Sequence, residues 1–229
     1  MNGQTAVIVG ATGLIGSLLL QKLLNDDAFS KVVALTRKLS EIPHPKLENV
    51  VVDFNQLDTI RNSFGHADVI FCSVGTTQKK VRGDRSAYRK VDFDIPLNVG
   101  RIGLEKGVKQ FIFVSSIGAN PQANNFYLRM KGEVEKAVSE LGYESLYIIR
   151  PSMLLGKRSD FRLGENIGQA VMRSASFMFF GAMKKYYPVK AHDVATAMRE
   201  AAKQKRPGIN VIQYEEMMKL IQGQHLQPQ

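Results

Sequence analysis

A tyrosine and a lysine four residues apart are the clearest candidates for chemistry in this chain. They enclose the stretch Tyr127-Leu-Arg-Met-Lys131, which lies in a predicted helix. A spacing of four places both side chains on one helix face, one turn apart. A free tyrosine hydroxyl titrates at about pH 10, and a neighbouring ammonium favours its ionised form. The pair therefore predicts a group that exchanges a proton with a carbonyl or alcohol oxygen, although such pairs also occur by chance on exposed helices.

Two serines precede this pair at a position that would complete the chemistry. Ser115 and Ser116 directly follow the apolar run Phe111-Ile-Phe-Val114. The carboxyl end of a strand in an open α/β sheet borders the ligand crevice. We expect the Ser116 hydroxyl to hydrogen-bond the substrate oxygen there; the alternative is that either serine only caps a turn.

Three glycines near the N-terminus predict a phosphate-binding turn. Gly10, Gly13 and Gly16 lie where a predicted strand over residues 5–9 gives way to a helix. Glycine lets the backbone approach a pyrophosphate, and the helix N-terminus favours the negative charge. The spacing is G-x-x-G-x-x-G, so the place of the motif between strand and helix carries more weight than the motif itself. A tight turn without a ligand is the alternative.

The end of the second predicted strand distinguishes the two nicotinamide dinucleotides. An acidic residue there would bind the adenosine ribose hydroxyl of NAD, but the run Ala34-Leu-Thr-Arg37-Lys38 contains none. The forked guanidinium of Arg37, with Lys38 beside it, suits a 2′-phosphate. NADP is therefore the predicted cofactor in preference to NAD, and a pair of surface cations is the alternative. Asp53, which precedes Phe54 after the third strand, would accept a hydrogen bond from the adenine amino group or cap a helix.

Short β-branched runs alternate with helical stretches and predict the scaffold for these residues. The runs are apolar throughout, as in strands covered on both faces. Repeated β-α-β units imply an α/β fold with a doubly wound parallel sheet, the Rossmann fold. The predicted strands are 5–9, 31–35, 49–52, 68–72, 110–114, 144–149 and 208–211, and the predicted helices are 14–24, 56–64, 86–106, 126–141, 163–174, 194–203 and 215–222.

Length and composition indicate one globular domain. We expect residues 1–150 to form its cofactor-binding core and residues 151–229 a small substrate-side lobe that is not independent. The chain lacks an apolar run of about 18 residues, so no transmembrane helix is predicted. The single cysteine, Cys72, fits a reducing compartment and a packed thiol, and the N-terminus lacks a signal-peptide pattern. Together these features predict a cytoplasmic location.

The net charge of +10 has three interpretations. It serves an anionic ligand such as a phosphorylated cofactor, it serves nucleic acid or a membrane surface, or it solvates the surface without a partner. The densest basic stretch, residues 79–90, either borders the active site and favours an anionic substrate or is a solvated loop. It lacks the interleaved aromatic residues of nucleic-acid-binding segments, so no nucleic-acid partner is predicted.

Two further features carry less weight. The apolar and aromatic cluster at residues 177–180 and 183–187 is interpreted as pocket or core, ahead of a subunit interface or a peripheral membrane contact. The four histidines are scattered and lack the spacing of metal ligands, so no metal site is predicted.

Taken in order, these motifs resemble those of the short-chain dehydrogenase/reductase superfamily, in its extended or atypical branch. The closest likeness is to the Tat-interacting oxidoreductase-like proteins. The shared pieces span most of the chain: Gly-Ala-Thr-Gly at 10–13, Val-Val-Asp-Phe at 51–54, Phe-Cys-Ser-Val-Gly-Thr-Thr at 71–77, Ser-Ser at 115–116, Tyr-x-x-x-Lys-Gly-Glu-Val-Glu at 127–135 and Arg-Pro at 150–151.

The resemblance implies roles at the matching positions. Tyr127 would be the general acid/base, Lys131 would bridge the nicotinamide ribose hydroxyls, and Ser116 would orient the substrate. The other implied cofactor contacts are Gly10, Thr12, Gly13, Leu14 and Ile15 for the pyrophosphate, Ser73, Val74, Gly75 and Thr76 for the nicotinamide-side ribose, and Pro151 and Ser152 for the carboxamide.

The leading hypothesis is an NADP(H)-dependent oxidoreductase that acts on a small carbonyl or alcohol. One alternative is a nucleotide-sugar epimerase or dehydratase, which the short segment after Pro151 disfavours. Another is an NADP-binding redox sensor or scaffold without turnover, which the presence of both Tyr127 and Lys131 disfavours. The sequence leaves open the substrate, the reaction direction and whether the chain forms a homo-oligomer.

Overall fold

The computed structural model of the chain describes residues 3–38, 42–77, 79–155 and 186–223. The strands are β1 (Gln4–Val9), β2 (Phe29–Thr36), β3 (Leu47–Val51), β4 (Val69–Cys72), β5 (Gln110–Val114), β6 (Ser145–Ile149), β7 (Leu154–Leu155), β8 (Val189–Lys190) and β9 (Gly208–Ile212). The helices are α1 (Leu14–Leu24), α2 (Leu57–Ser63), α3 (Arg85–Arg89), a π-helical turn (Lys90–Asp94), α4 (Ile95–Glu105), α5 (Phe126–Ser139), α6 (Ala191–Gln204) and α7 (Tyr214–Ile221).

The main sheet has seven strands in the order β3-β2-β1-β4-β5-β6-β9, and every neighbouring pair is parallel. The chain moves outward from β1 to β3 and then returns to β4 on the other side of β1. This reversal opens a crevice at the carboxyl ends of β1 and β4, which is where open α/β sheets bind ligands.

Both faces of the sheet are buried. One apolar cluster joins the sheet to α1, α6 and α7, and the other joins it to α2, α4 and α5. All five residues of β5 and of β6 are buried. A strand covered on both faces cannot alternate apolar and polar residues, which explains the continuous apolar runs of the sequence.

The predicted α/β fold with a doubly wound parallel sheet is confirmed. The seven predicted strands are present with bounds that shift by at most a few residues, and the predicted helix over 86–106 consists of α3, the π-turn and α4. Strands β7 and β8, of two residues each, were not predicted and form a small separate sheet. The predicted helix over 163–174 lies outside the described residues, and so does the apolar and aromatic cluster apart from Tyr186 and Tyr187.

The residues after 150 contribute a strand to the main sheet as well as side chains to the crevice at the ends of β1 and β4. Strand β9 pairs with β6, and the apolar side chains of α6 share a buried cluster with those of α1. Residues after 150 thus belong in part to the main sheet. The predicted division into a cofactor-binding core over residues 1–150 and a substrate-side lobe over residues 151–229 stays a prediction. Among the described helices, none is long and apolar enough to cross a membrane.

Candidate active site

One cavity lies at the crevice between β1 and β4. Its volume is about 310 Å³, which is within the range of small-molecule sites. All predicted site residues except Lys38 and Asp53 line it: Gly10, Thr12, Gly13, Leu14, Ile15, Arg37, Phe54, Ser73, Val74, Gly75, Thr76, Ser116, Tyr127, Lys131, Pro151 and Ser152. The structure thus brings together, from both halves of the sheet, residues that the sequence only placed on separate elements.

The glycine loop forms the floor of this cavity. Gly10 has a φ of +92°, a left-handed conformation that glycine adopts without strain. A Cβ at Gly16 would lie 2.0 Å from the Gly10 carbonyl oxygen, so only glycine lets α1 start this close to β1. The N-cap of α1 is Gly13, no side chain caps this end, and its first turn contains no acidic residue. The N-terminus of α1 is therefore suited to a phosphate group.

The ends of β2 and β3 form the adenosine side of the cavity in the predicted arrangement. Arg37 is exposed and lines the cavity, whereas Lys38 is exposed outside it. Asp53 also lies outside the cavity wall, and its Oδ1 accepts hydrogen bonds from the backbone and side-chain nitrogens of Asn55 at 2.9 and 2.8 Å. These bonds hold the pKa of Asp53 below its usual value. The carboxylate thus stabilises the turn before α2, which leaves only Phe54 of that pair in the cavity wall.

The β5 end carries both serines. Ser116 lines the cavity and its Oγ donates to the Ile117 carbonyl at 3.2 Å. Ser115 is 3% exposed and also lines the cavity, and among the described residues its Oγ has no hydrogen-bond partner. A buried hydroxyl without a partner is costly, so the free Ser115 hydroxyl fits a site whose ligand completes its hydrogen bonds.

Helix α5 carries Tyr127 and Lys131 into the cavity. The Asn125 side chain caps it by accepting from the Leu128 amide at 3.1 Å. A Cβ at Gly132 would lie 2.2 Å from the backbone of Asn120, so the segment that follows Ser116 crosses α5 in direct backbone contact. This crossing fixes the β5 end against the helix that bears the tyrosine and the lysine.

Lys131 is buried and faces a carboxylate that the sequence analysis missed. Its Nζ lies 3.0 Å from Oδ1 of Asp92, and the two side chains are 5% and 1% exposed. Burial lowers the pKa of Lys131, but the Asp92 carboxylate and the Tyr127 hydroxyl outweigh burial, so the pKa lies above its ordinary value. A signal was present in the sequence: Asp92 is one turn after Tyr88 on the apolar face of a predicted helix, where a charged residue needs a partner.

A second, partly buried ion pair joins α5 to the end of β6 behind the cavity. Arg150 Nε donates to Glu135 Oε1 at 2.9 Å, and its Nη2 contacts the other carboxylate oxygen. Glu135 lies on α5, one turn after Lys131, and Arg150 directly precedes Pro151 at the end of β6. The pair therefore ties α5 to the segment that brings Pro151 and Ser152 to the cavity.

The basic stretch at residues 79–90 is integrated into the structure. Lys80 lines the cavity. Arg85 lies over the Phe126 ring at 5.0 Å, and Arg89 lies over the Phe93 ring at 3.8 Å. Part of this stretch thus borders the candidate active site, as one of the two interpretations held, while Arg85 and Arg89 pack on aromatic rings beside it.

Cys72 behaves as a packed thiol rather than a nucleophile. It is buried at the end of β4, and burial raises its pKa to about 12. A thiol with such a pKa carries almost no thiolate near neutral pH.

The chain matches a family model described as NAD(P)H-binding over residues 10–205. The chain belongs to this NAD(P)H-binding family. Protein HTATIP2 of Rattus norvegicus is 37% identical over 168 residues, which cover 72% of this chain and 69% of the relative. Protein FMP52, mitochondrial, of Candida glabrata is 33% identical over 217 residues, which cover 89% and 87%. These matches confirm the resemblance to the Tat-interacting oxidoreductase-like proteins.

A solved structure supports the same fold. MoeE5 in complex with UDP-glucose and NAD superimposes with a TM-score of 0.67 at 17% identity, covering 93% of this chain and 79% of that one. At this identity the likeness shows the fold alone.

The predicted cytoplasmic location is wrong. Relatives that match most of the chain are named as mitochondrial proteins. The prediction rested on the single cysteine together with the lack of an apolar run and of a signal-peptide pattern. One cysteine indicates that the fold needs no internal disulfide, but it does not distinguish one reducing compartment from another.

Proposed function

We propose that this NAD(P)H-binding protein is an NADP(H)-dependent oxidoreductase that transfers hydride to or from a carbonyl or alcohol. The observation that supports it is a single cavity lined by the glycine loop, by Arg37 and by the trio of Ser116, Tyr127 and Lys131. A phosphate-binding turn and a candidate proton donor thus border the same space.

The dimensions of the sheet suit a dinucleotide. Arg37 follows β2 and Ser116 follows β5, and the strands between them are β1 and β4. Three strand spacings of about 4.8 Å separate the two ends by about 14 Å. A dinucleotide laid across the strand ends would have its 2′-phosphate beside Arg37, its pyrophosphate at the start of α1, and its nicotinamide beside Tyr127. The Ser115 hydroxyl, which has no partner among the described residues, would lie at the nicotinamide end of this path.

The side chains at that end can perform the proton transfer. In the direction of reduction, the Tyr127 hydroxyl donates its proton to the carbonyl oxygen while Ser116 hydrogen-bonds the same oxygen. The Lys131 ammonium stabilises the phenolate that remains and holds the ribose hydroxyls of the cofactor. When bound, NADPH supplies the hydride to the carbonyl carbon, so that C=O becomes CH–OH and NADPH becomes NADP⁺. The apolar side chains of Val91, Ile95 and Leu154 in the cavity wall limit access of water to the reacting atoms.

The cations of the cavity favour anionic ligands at two points. Arg37 would bind the 2′-phosphate of NADP, and the run of residues 34–38 at the end of β2 contains no carboxylate to bind a free ribose hydroxyl. Lys80 is a further cation of the cavity wall besides Arg37 and Lys131, and it favours a small substrate that carries an anionic group.

The test is transfer of deuterium from deuterated NADPH to a panel of aldehydes and ketones, followed by mass spectrometry of the products. Tyr127→Phe removes only the hydroxyl and should lower kcat by about 10²- to 10⁴-fold, with NADPH affinity within about twofold because the ring still fills its place. An unchanged kcat in this variant would refute the role of Tyr127. Failure of every substrate, with intact NADPH binding, would favour the sensor or scaffold hypothesis.

A nucleotide-sugar epimerase or dehydratase is the second candidate, because the fold is similar to that of MoeE5, whose complex contains UDP-glucose and NAD. Such a protein uses the same tyrosine chemistry but returns the hydride to the substrate. Purified protein would then retain its dinucleotide and convert UDP-glucose without net change in NADH absorbance.

A further inference from the structure

The pair between Lys131 and Asp92 lies in the wall of the cavity. Both residues line the cavity, and their facing atoms are 3.0 Å apart. A salt bridge placed to stabilise the fold would be equally effective away from the ligand. Its position beside Tyr127 indicates a role in what the cavity binds.

The second oxygen of the same carboxylate holds the end of β4. Asp92 Oδ2 accepts a hydrogen bond from the Thr76 amide at 2.8 Å. The Thr76 carbonyl in turn accepts from the Tyr88 hydroxyl at 3.4 Å. One carboxylate thus joins three elements: α5 through Lys131, the β4 end through Thr76, and its own π-turn.

The π-turn explains how the carboxylate reaches this position. Asp92 lies in the middle of the turn Lys90–Asp94, between α3 and α4. A π-turn widens the helix and shifts the side chains that follow it, and such turns are frequent at functional sites. Here Tyr88 and Asp92 are both buried while Arg89 and Lys90 are exposed, so the helix carries a carboxylate inward and cations outward.

The charge of Lys131 depends on its neighbours because burial opposes it. Desolvation lowers the pKa of this lysine; Asp92 from the π-turn, Tyr127 from α5 and Cys72 from β4 all raise it. Tyr88 lies near the same carboxylate, and burial together with Asp92 and Tyr127 raises the pKa of its hydroxyl. Among these neighbours, Asp92 makes the only direct contact with the ammonium that the described residues show.

We propose that Asp92 is a positioning residue that keeps Lys131 cationic and directed at the cofactor, and that it thereby sets the upper pH limit of cofactor binding. This inference rests on the proposed role of Lys131 as a ligand of the nicotinamide-side ribose. It assigns to Asp92 the function of holding the ammonium and the Thr76 amide at a fixed separation.

An asparagine in place of Asp92 tests the effect of the negative charge separately from the effect of the side-chain shape. Asp92→Asn keeps the size of the side chain but offers one acceptor where the carboxylate offers two. Either the Thr76 amide or the Lys131 ammonium then faces an NH₂ group, and the negative charge that offset burial is gone. Lys131 should lose its proton at a lower pH.

The experiment measures NADPH and NADH affinity by calorimetry across alkaline pH, without any turnover. The affinity of the wild-type protein should stay constant up to about pH 10. In Asp92→Asn it should begin to fall at least about one pH unit lower, with about a tenfold loss for each further unit. Asp94→Asn, in the same π-turn but outside the cavity wall, is the matched control and should behave as wild type.

Two variants identify the titrating group. Lys131→Arg carries a cation that does not lose its proton in this range, so the alkaline fall should disappear with or without Asp92→Asn. Asp92→Glu keeps the charge but displaces the ammonium, so the pH limit should stay near that of wild type while affinity falls at every pH. This variant also serves if Asp92→Asn does not fold.

Specific outcomes would overturn the proposal. If Asp92→Asn or Asp92→Glu lowers the melting temperature but leaves affinity and its pH limit unchanged, Asp92 only stabilises the fold. If neither dinucleotide binds the wild-type protein, Lys131 has no cofactor to hold and the proposal fails. Loss of carbonyl reduction with these binding results intact would refute the proposed oxidoreductase activity alone.

Discussion

Arg37 and Lys131 are both cations of the same cavity, but their surroundings differ. Arg37 is exposed at the end of β2. Lys131 is buried, paired with Asp92, and followed by a glycine on which the β5 loop packs. A solvated guanidinium can contact a phosphate and be exchanged without disturbing the fold. A buried ammonium can be placed precisely but cannot be changed without affecting its neighbours. We call the β2 end with Arg37 the adaptable end of the cavity, and the α5 side with Lys131 and Gly132 the constrained end. We infer that cofactor preference depends on the adaptable end and that proton transfer depends on the constrained end.

The largest expected effect on stability and on kcat comes from a substitution at Gly132, at the constrained end. In Gly132→Ala the new Cβ would lie 2.2 Å from the backbone of Asn120 and Pro121, so the loop behind Ser116 must move away from α5. We expect a loss of about 3 kcal/mol in the free energy of unfolding. We also expect about a 100-fold loss in kcat, because Ser116 and Tyr127 no longer meet the same atom. Urea denaturation and carbonyl reduction measure the two effects.

Gly65→Ala is the matched control for this variant. A Cβ there would have no neighbour within 4 Å, so stability and kcat should remain within experimental error of wild type. Equal behaviour of the two alanine variants would contradict the tight crossing of the β5 loop over α5.

A smaller effect is expected at the adaptable end. Arg37→Asp replaces a phosphate ligand with a carboxylate that repels it. NADPH affinity should fall by about 10- to 100-fold, as for a lost charge-assisted hydrogen bond, while NADH affinity should be unchanged or improved. The melting temperature should not change, because the side chain is exposed. Calorimetric titration with both dinucleotides measures the ratio.

Lys38→Asp is the control at this end, since Lys38 lies outside the cavity wall and should affect both dinucleotides equally and weakly. A wild-type protein that binds NADH as tightly as NADPH would refute the assignment of Arg37.

The smallest effect is expected at Cys72, which lies beside the constrained end without a role in it. With its pKa raised to about 12, the thiol should not react with a thiol-specific reagent in the native protein at pH 8, and should react fully in denaturant. Cys72→Ala should keep kcat within about twofold. Rapid labelling of the native protein, followed by mass spectrometry, would contradict the buried position of β4.

The sequence predicted individual residues of the cavity wall, but it did not predict which of them contact each other. Tyr127 and Lys131 were recognised because a helix repeats locally, and Gly10 and Gly16 because a strand-to-helix turn is short. Asp92 was missed because its partner lies on another helix, and no local pattern joins the two. The contact of Asp53 with adenine stays a prediction, and no pattern in the sequence indicated that one oxygen of this carboxylate accepts hydrogen bonds from Asn55.

The sequence by itself determined the order and type of the elements, the parallel sheet, the glycine turn between β1 and α1 and the Tyr-x-x-x-Lys face. These depend on periodicity and backbone conformation, which neighbouring residues set. Only the tertiary structure decided that Asp92 neutralises Lys131, that Gly132 receives the β5 loop, that Lys80 joins the cavity wall and that β9 lies beside β6. Such contacts join residues distant in the chain, and they are fixed by close packing and by the cost of leaving a buried charge or amide without a partner.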